Sequence, residues 1–167
     1  MDLFVTTGGT AEWRARRIRC ALGRSGIAGD KREGDGATPA GTLSLLRGLY
    51  RPDRIVPPDT ELALAALRPD DGWCDAPEDA SYNRQVRLPH GASCEALWRD
   101  DHVYDLIVAT DFNAAPVAPH RGSAIFLHIA RPDYPPTEGC VALAAGDLLD
   151  VLATCRPGDI LRVVDVD

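Results

Sequence analysis

The chain is short of lysine, of basic charge overall, of paired cysteine motifs and of long apolar runs, and each shortage excludes something. Its 18 basic residues are 17 arginines and a single lysine, Lys31, against 25 acidic residues, a formal net charge of −7 at pH 7. A nucleic-acid surface needs a basic excess to neutralise phosphates, so this balance argues against one. The skew toward arginine reports genomic base composition rather than function. No stretch approaches the ~18 apolar residues of a membrane-spanning helix. The start, Met1-Asp2-Leu3-Phe4-Val5-Thr6-Thr7-Gly8-Gly9, lacks the basic opening and apolar core of a secretory signal peptide, which by itself points to the cytoplasm. The five cysteines, at 20, 74, 94, 140 and 155, form no C-x-x-C pair. That argues against a zinc ribbon and a thioredoxin-type site, and no metal or cofactor is expected. The odd count leaves at least one thiol free in any disulfide scheme.

What is present suits one soluble domain, residues 1–167. The 167 residues are 45% hydrophobic and 26% charged, ordinary for a globule long enough to bury a core unaided. Leu3 to Thr7 reads as a strand, with Gly8-Gly9 as a hairpin turn into a second run. There Ile18, Cys20 and Leu22 alternate with Arg17, Arg19 and Ala21, the period of a half-buried strand. Residues 23–41 hold six glycines in nineteen positions and read as a long loop. Thr42 to Tyr50 reads as a strand, 62–67 as helix or strand, and 68–83 as irregular. Arg84 to Leu88 is a short strand, and Ser93 can cap a short helix through Arg99. Val103 to Ala109 and Ser123 to Ala130 are nearly continuous apolar runs, which places them at the centre of a sheet. A helix follows Gly146-Asp147, and Ile160 to Val164 closes the chain as a strand. The pattern predicts a mainly β fold with one or two short helices.

The informative segment is His128 to Leu143. A histidine ends a central strand, and twelve residues later Cys140 follows Gly139 in a proline-rich loop. This suits a Cys/His nucleophilic pair, because an imidazole can take the thiol proton. Gly139 frees the backbone to turn amide N–H groups toward a developing oxyanion. A packed thiol and a satisfied core histidine would give the same spacing.

Thr137, Gly139-Cys140-Val141 and the upstream strand histidine resemble the active-site signature of the L,D-transpeptidase catalytic domain, the YkuD-type family. Further matches are Thr38-Pro39-Ala40-Gly41-Thr42-Leu43, Lys31 to Gly36, Trp98-Arg99-Asp100-Asp101, Tyr104-Asp105 and Gly122 to His128. Together they span about residues 15 to 160. The resemblance implies a single-domain β-sandwich or barrel in the cell envelope, acting on peptidoglycan stem peptides. It implies Cys140 as nucleophile, His128 as base, the amides of Gly139 and Cys140 as oxyanion donors, and the Ile129 carbonyl as the group that orients the imidazole. Glu138 stands where the family often has His, and Ala142 where many members carry Arg or Asn.

Asn113, Thr137, Arg121 and Tyr134 are the candidate substrate-binding residues. Cys20, Cys74, Cys94 and Cys155 read as packed thiols, His90 as a solvated loop residue, His102 as a local charge partner, and Lys31-Arg32-Glu33 as a solvated charge run. Three functions compete: an L,D-transpeptidase-type acyl transferase releasing a terminal D-amino acid and forming 3-3 cross-links, an L,D-carboxypeptidase of muropeptides, and an inactive peptide-binding relative.

Overall fold

A computed structural model describes residues 2–166. Period-two alternation organises its N-terminal half. β1 (Asp2–Thr6), β2 (Thr10–Trp13) and β3 (Arg16–Ala21) form a meander. The Gly8-Gly9 turn therefore leads into β2, not directly into the arginine-rich run as the hairpin reading had it. A second tight turn at Arg14-Ala15, both at positive φ, delivers β3. On β3 the arginines face solvent, while Ile18 and Cys20 are buried.

β4 (Ile27–Ala28) and β5 (Thr38–Pro39) pair across the glycine-rich loop. β6 (Gly41–Tyr50) is the longest strand, and β7 (Ala63–Ala66) runs parallel to it. β8 (Asp71–Cys74), β9 (Gln85–Arg87) and β10 (Cys94–Ala96) make a small antiparallel sheet of their own. Two expectations fall here: 68–83 is not wholly irregular, and 93–99 is not a helix. Cys94 to Ala96 finds strand partners in Gly72 to Cys74, and that pairing overrides the weak helical capping signal at Ser93.

β11 (Leu106–Thr110), β12 (Phe126–Ile129), β13 (Val141–Leu143), α1 (Ala145–Leu152) and β14 (Ile160–Val164) complete the chain. α1 is the one α-helix among the described residues. The main sheet runs β11-β12-β13-β3-β2-β1-β14-β6, and β6 pairs back onto β11. The result is a closed, barrel-like sheet, as the mainly β reading predicts. Closure leaves β11 with a buried residue at every position. Leu106 and Val108 enter one apolar cluster with Leu3, Leu43 and Leu148. Ile107 and Ala109 enter a second with Leu49, Trp73, Phe126 and Cys140. A strand covered on both faces must be apolar throughout, which is why its sequence shows no alternation.

Candidate active site

β12 and β13 are adjacent parallel strands, with His128 opposite Ala142. Cys140 immediately precedes β13, so the pairing of these two strands brings the cysteine and the histidine to one place. Both line a cavity of about 520 Å³, together with Lys31, Glu95, Arg99 and Tyr104. The loop before Cys140 is tied down at Thr137. Its N–H donates to the Leu22 carbonyl at 2.8 Å, and its carbonyl accepts from the Arg24 N–H at 2.8 Å. The Thr137 hydroxyl donates to the Cys140 carbonyl at 2.7 Å and accepts from the Gly139 N–H at 3.1 Å. Gly139 has φ 137°, and a Cβ there would stand 2.8 Å from the Ala37 carbonyl oxygen. Only glycine lets the two backbones approach this closely.

Cys140 is 9% exposed and His128 6%. The Cys140 thiol donates to the Ala124 carbonyl at 3.1 Å, and its sulfur accepts from the Phe126 N–H at 3.4 Å. Burial pushes the thiol up to about 12, and the nearby Glu95 carboxyl adds to the rise. Burial pulls His128 down to about 4, with Arg131 and Arg99 lowering it further against the Ile129 carbonyl. Both groups are therefore neutral at pH 7, so the resting cavity holds a thiol and an imidazole, not a thiolate and an imidazolium. His128 Nδ1 lies 2.9 Å from the Ile129 carbonyl, which can only accept. The ring proton therefore sits on Nδ1 and the lone pair on Nε2. Tyr104 packs edge-on against His128 at 5.4 Å between ring centroids and against Phe126 at 6.1 Å.

The rest of the cavity is charged. Tyr104 donates its hydroxyl to Glu95 at 2.7 Å. Burial raises the Glu95 carboxyl, against that hydrogen bond. Arg99 grips Asp101 through two bonds of 2.8 Å, and Arg131 adds a third at 2.8 Å. Lys31, read from sequence as part of a solvated run, is 4% exposed. Its ammonium donates to Asp35 at 2.5 Å and to the Arg32 carbonyl at 2.6 Å. Glu33 accepts from the Tyr82 hydroxyl at 2.5 Å. Spacing gives Lys31, Glu95, Arg99 and Tyr104 no functional assignment; Lys31, Arg99 and Tyr104 stand in the family's segments, while Glu95 stands in none of them.

A family model for the YkuD L,D-transpeptidase catalytic domain matches residues 2–166. The chain belongs to that family. Among solved structures, the helical cell shape determining protein Pgp2 from Campylobacter jejuni is similar at 14% identity and a TM-score of 0.48. The match covers 99% of this chain and 48% of that one, so the chain spans about half of that protein's length. No curated protein matches the chain.

Within this family member the remaining candidate residues are placed unequally. Thr137 lines the cavity, while Asn113, Arg121 and Tyr134 do not. Asn113 spends its side chain locally: its amide donates to the Ala118 and Gly122 carbonyls at 2.9 Å each, and its oxygen accepts from the Ala118 N–H at 2.8 Å. Arg121 is exposed and pairs with Asp30 at 3.0 Å. Tyr134 lies under the Arg19 guanidinium, 4.4 Å from its centroid. Glu138 turns outward to Arg24 at 3.0 Å with its side chain 79% exposed. The carboxyl that bears on the thiol is thus Glu95, not the sequence neighbour. His102 pairs with Asp105 at 2.6 Å, a local partner as read. No described helix is long and apolar enough to cross a membrane.

Proposed function

We propose that this protein is a cysteine-dependent L,D-transpeptidase-type acyl transferase acting on peptidoglycan stem peptides. The observation that carries the reading is the pair Cys140 and His128 in one cavity, with Nδ1 of the histidine committed to Ile129 so that Nε2 is the free base. The neutral resting pair suits general-base catalysis: proton transfer accompanies attack, and no free thiolate has to survive in a buried site.

In the first half-reaction the Cys140 thiol turns from the Ala124 carbonyl, and His128 Nε2 takes its proton as Sγ attacks the carbonyl of an L-centre joined to a D-amino acid. The tetrahedral oxyanion meets the Cys140 N–H. The Gly139 N–H joins it only on exchanging its bond to Thr137. The C–N bond then breaks, and the imidazolium returns its proton to the leaving amine. A thioester remains on Cys140. In the second half-reaction an amine of another stem attacks, gives its proton to His128, and displaces Sγ, which takes that proton from the imidazolium as the 3-3 cross-link forms. Water in place of the amine makes the same site a carboxypeptidase. Arg99 and Arg131 line the cavity beside His128 and suit the substrate carboxylate, the task that Ala142 cannot perform. Thr137 positions the Cys140 backbone. No step calls for a cofactor, and the family places such chemistry in the cell envelope.

Incubation with a disaccharide-tetrapeptide tests the reading. The expected result is an adduct on Cys140 by intact mass, with release of a D-amino acid. An unchanged mass with both this substrate and a carbapenem acylator overturns it. A product that is always the water adduct, even with excess amine, assigns the carboxypeptidase branch.

A further inference from the structure

Outside the catalytic cavity a second group of ligand-bearing side chains converges. β8 and β10 pair antiparallel with Cys74 directly opposite Cys94. His90 lies in the loop between β9 and β10. The two sulfurs and a ring nitrogen of His90 all lie within 4.8 Å of one another. Cys74 is fully buried and the other two are half-buried, so the cluster is closed on one side and open to solvent on the other. His90 Nε2 faces Asp79 Oδ1 at 3.3 Å, and that oxygen also accepts from the Ser81 N–H at 2.7 Å.

We propose that Cys74, His90 and Cys94 form a zinc(II) site, with a solvent molecule as fourth ligand. Two thiolates and a neutral imidazole are the donor types zinc takes. At Zn–S of about 2.3 Å and Zn–N of about 2.0 Å, tetrahedral donors stand roughly 3.5–3.8 Å apart. The present triangle needs to contract by only about 1 Å to reach that geometry, a matter of small side-chain rotations. Two thiolates balance the ion's charge, which suits a half-buried place. With Nδ1 as the ligand atom, Asp79 at Nε2 supplies the outer carboxylate that fixes the ring of a metal-bound histidine. A Cys74–Cys94 disulfide is the competing use of the pair, but it gives His90 and Asp79 no part. The 74, 90, 94 spacing is not that of a zinc ribbon, so the motif is invisible along the chain.

The site has a structural consequence for the cavity. Asp75 and Glu95, the residues following Cys74 and Cys94, line the catalytic cavity, whereas the two cysteines do not. Successive side chains of a strand point to opposite faces. The ion would therefore clamp β8 to β10 behind the carboxyl-bearing wall. One oxygen of that wall, Asp75 Oδ1, is buried with no hydrogen-bond partner.

The test is metal analysis of the full chain purified under reducing conditions, with cobalt(II) as a spectroscopic replacement. The expected result is about one equivalent of zinc, and a tetrahedral, thiolate-ligated cobalt spectrum, in the parent protein and equally in Cys140→Ala. Cys94→Ser and His90→Ala should lose both, together with the rise in Tm on adding zinc. Asp79→Asn should bind about 10- to 100-fold more weakly. Three results overturn the proposal: no stoichiometric metal in the parent, metal lost in Cys140→Ala but kept in Cys94→Ser, or a Cys74–Cys94 disulfide persisting in the reduced protein. None of these depends on whether Cys140 transfers acyl groups.

Discussion

The cavity has two kinds of wall, and they are held by different physics. One is a piece of the barrel: β12 and β13 place His128 and Cys140 through backbone ladders and apolar packing. The other is built from the loop around Lys31 and from the small β8–β9–β10 sheet. It is held by side-chain bonds, Lys31 to Asp35, Tyr82 to Glu33, Tyr104 to Glu95 and Arg99 to Asp101. The first wall needs no charge and buries the reacting pair. The second concentrates charge where a peptide substrate would be bound. Under the proposed function, chemistry falls to the apolar wall and recognition to the polar one.

Substitutions can break this division, and the largest effect belongs to the barrel wall. Cys140→Ala should lower acyl transfer more than about 10⁴-fold while leaving the fold intact, read by product formation and far-UV circular dichroism. His128→Gln should cost about 10²- to 10⁴-fold in kcat/KM. In the parent protein the acid limb of the pH profile should fall near 4, not near the ordinary 6.5, because burial holds the imidazole neutral. The sign for stability follows from the same shift. The folded state binds fewer protons than the unfolded chain between 6.5 and about 4, so stability is full above 6.5 and declines as pH falls through that window. The loss should reach about 3 kcal/mol, measurable by urea unfolding across pH.

The polar wall should answer differently. Lys31→Met strands the Asp35 carboxyl. Burial pushes that carboxyl up, but Lys31 and the amides of Ala37 and Arg32 hold it below its usual value. A loss of about 3 kcal/mol in unfolding free energy is expected. Arg131→Ala should raise KM roughly tenfold with little change in kcat, since a charge-assisted contact to substrate is removed. Should kcat collapse instead, the two walls do not divide binding from chemistry. The smallest effect is expected outside both walls. Arg121→Ala breaks only an exposed pair with Asp30, and should stay within about 0.5 kcal/mol in stability with KM unchanged.

Much of the barrel was legible because its signals are local. The alternation in β3, the continuous apolar runs of β11 and β12 and the glycine before Cys140 each report a backbone state within a few residues. The small sheet was not legible. β8 and β10 are short, and Cys94 to Ala96 becomes a strand only because Gly72 to Cys74 lies beside it. Asn113 is ambiguous for a similar reason: a positive-φ asparagine at a strand end suits a substrate contact and a self-bonded loop equally, and three of its side-chain bonds go to the loop.

The sequence by itself determined that the fold is mainly β, that a histidine ends a buried strand, and that a glycine-cysteine pair follows it in the order of a known family. Those are properties of spacing and residue type, readable one segment at a time. Only the tertiary structure decided that Lys31 is buried, that Glu95 rather than Glu138 bears on the thiol, and that Cys74, His90 and Cys94 meet. Each of these depends on which strands become neighbours, and that choice is made by burying the whole apolar surface at once, not by any one stretch of the chain.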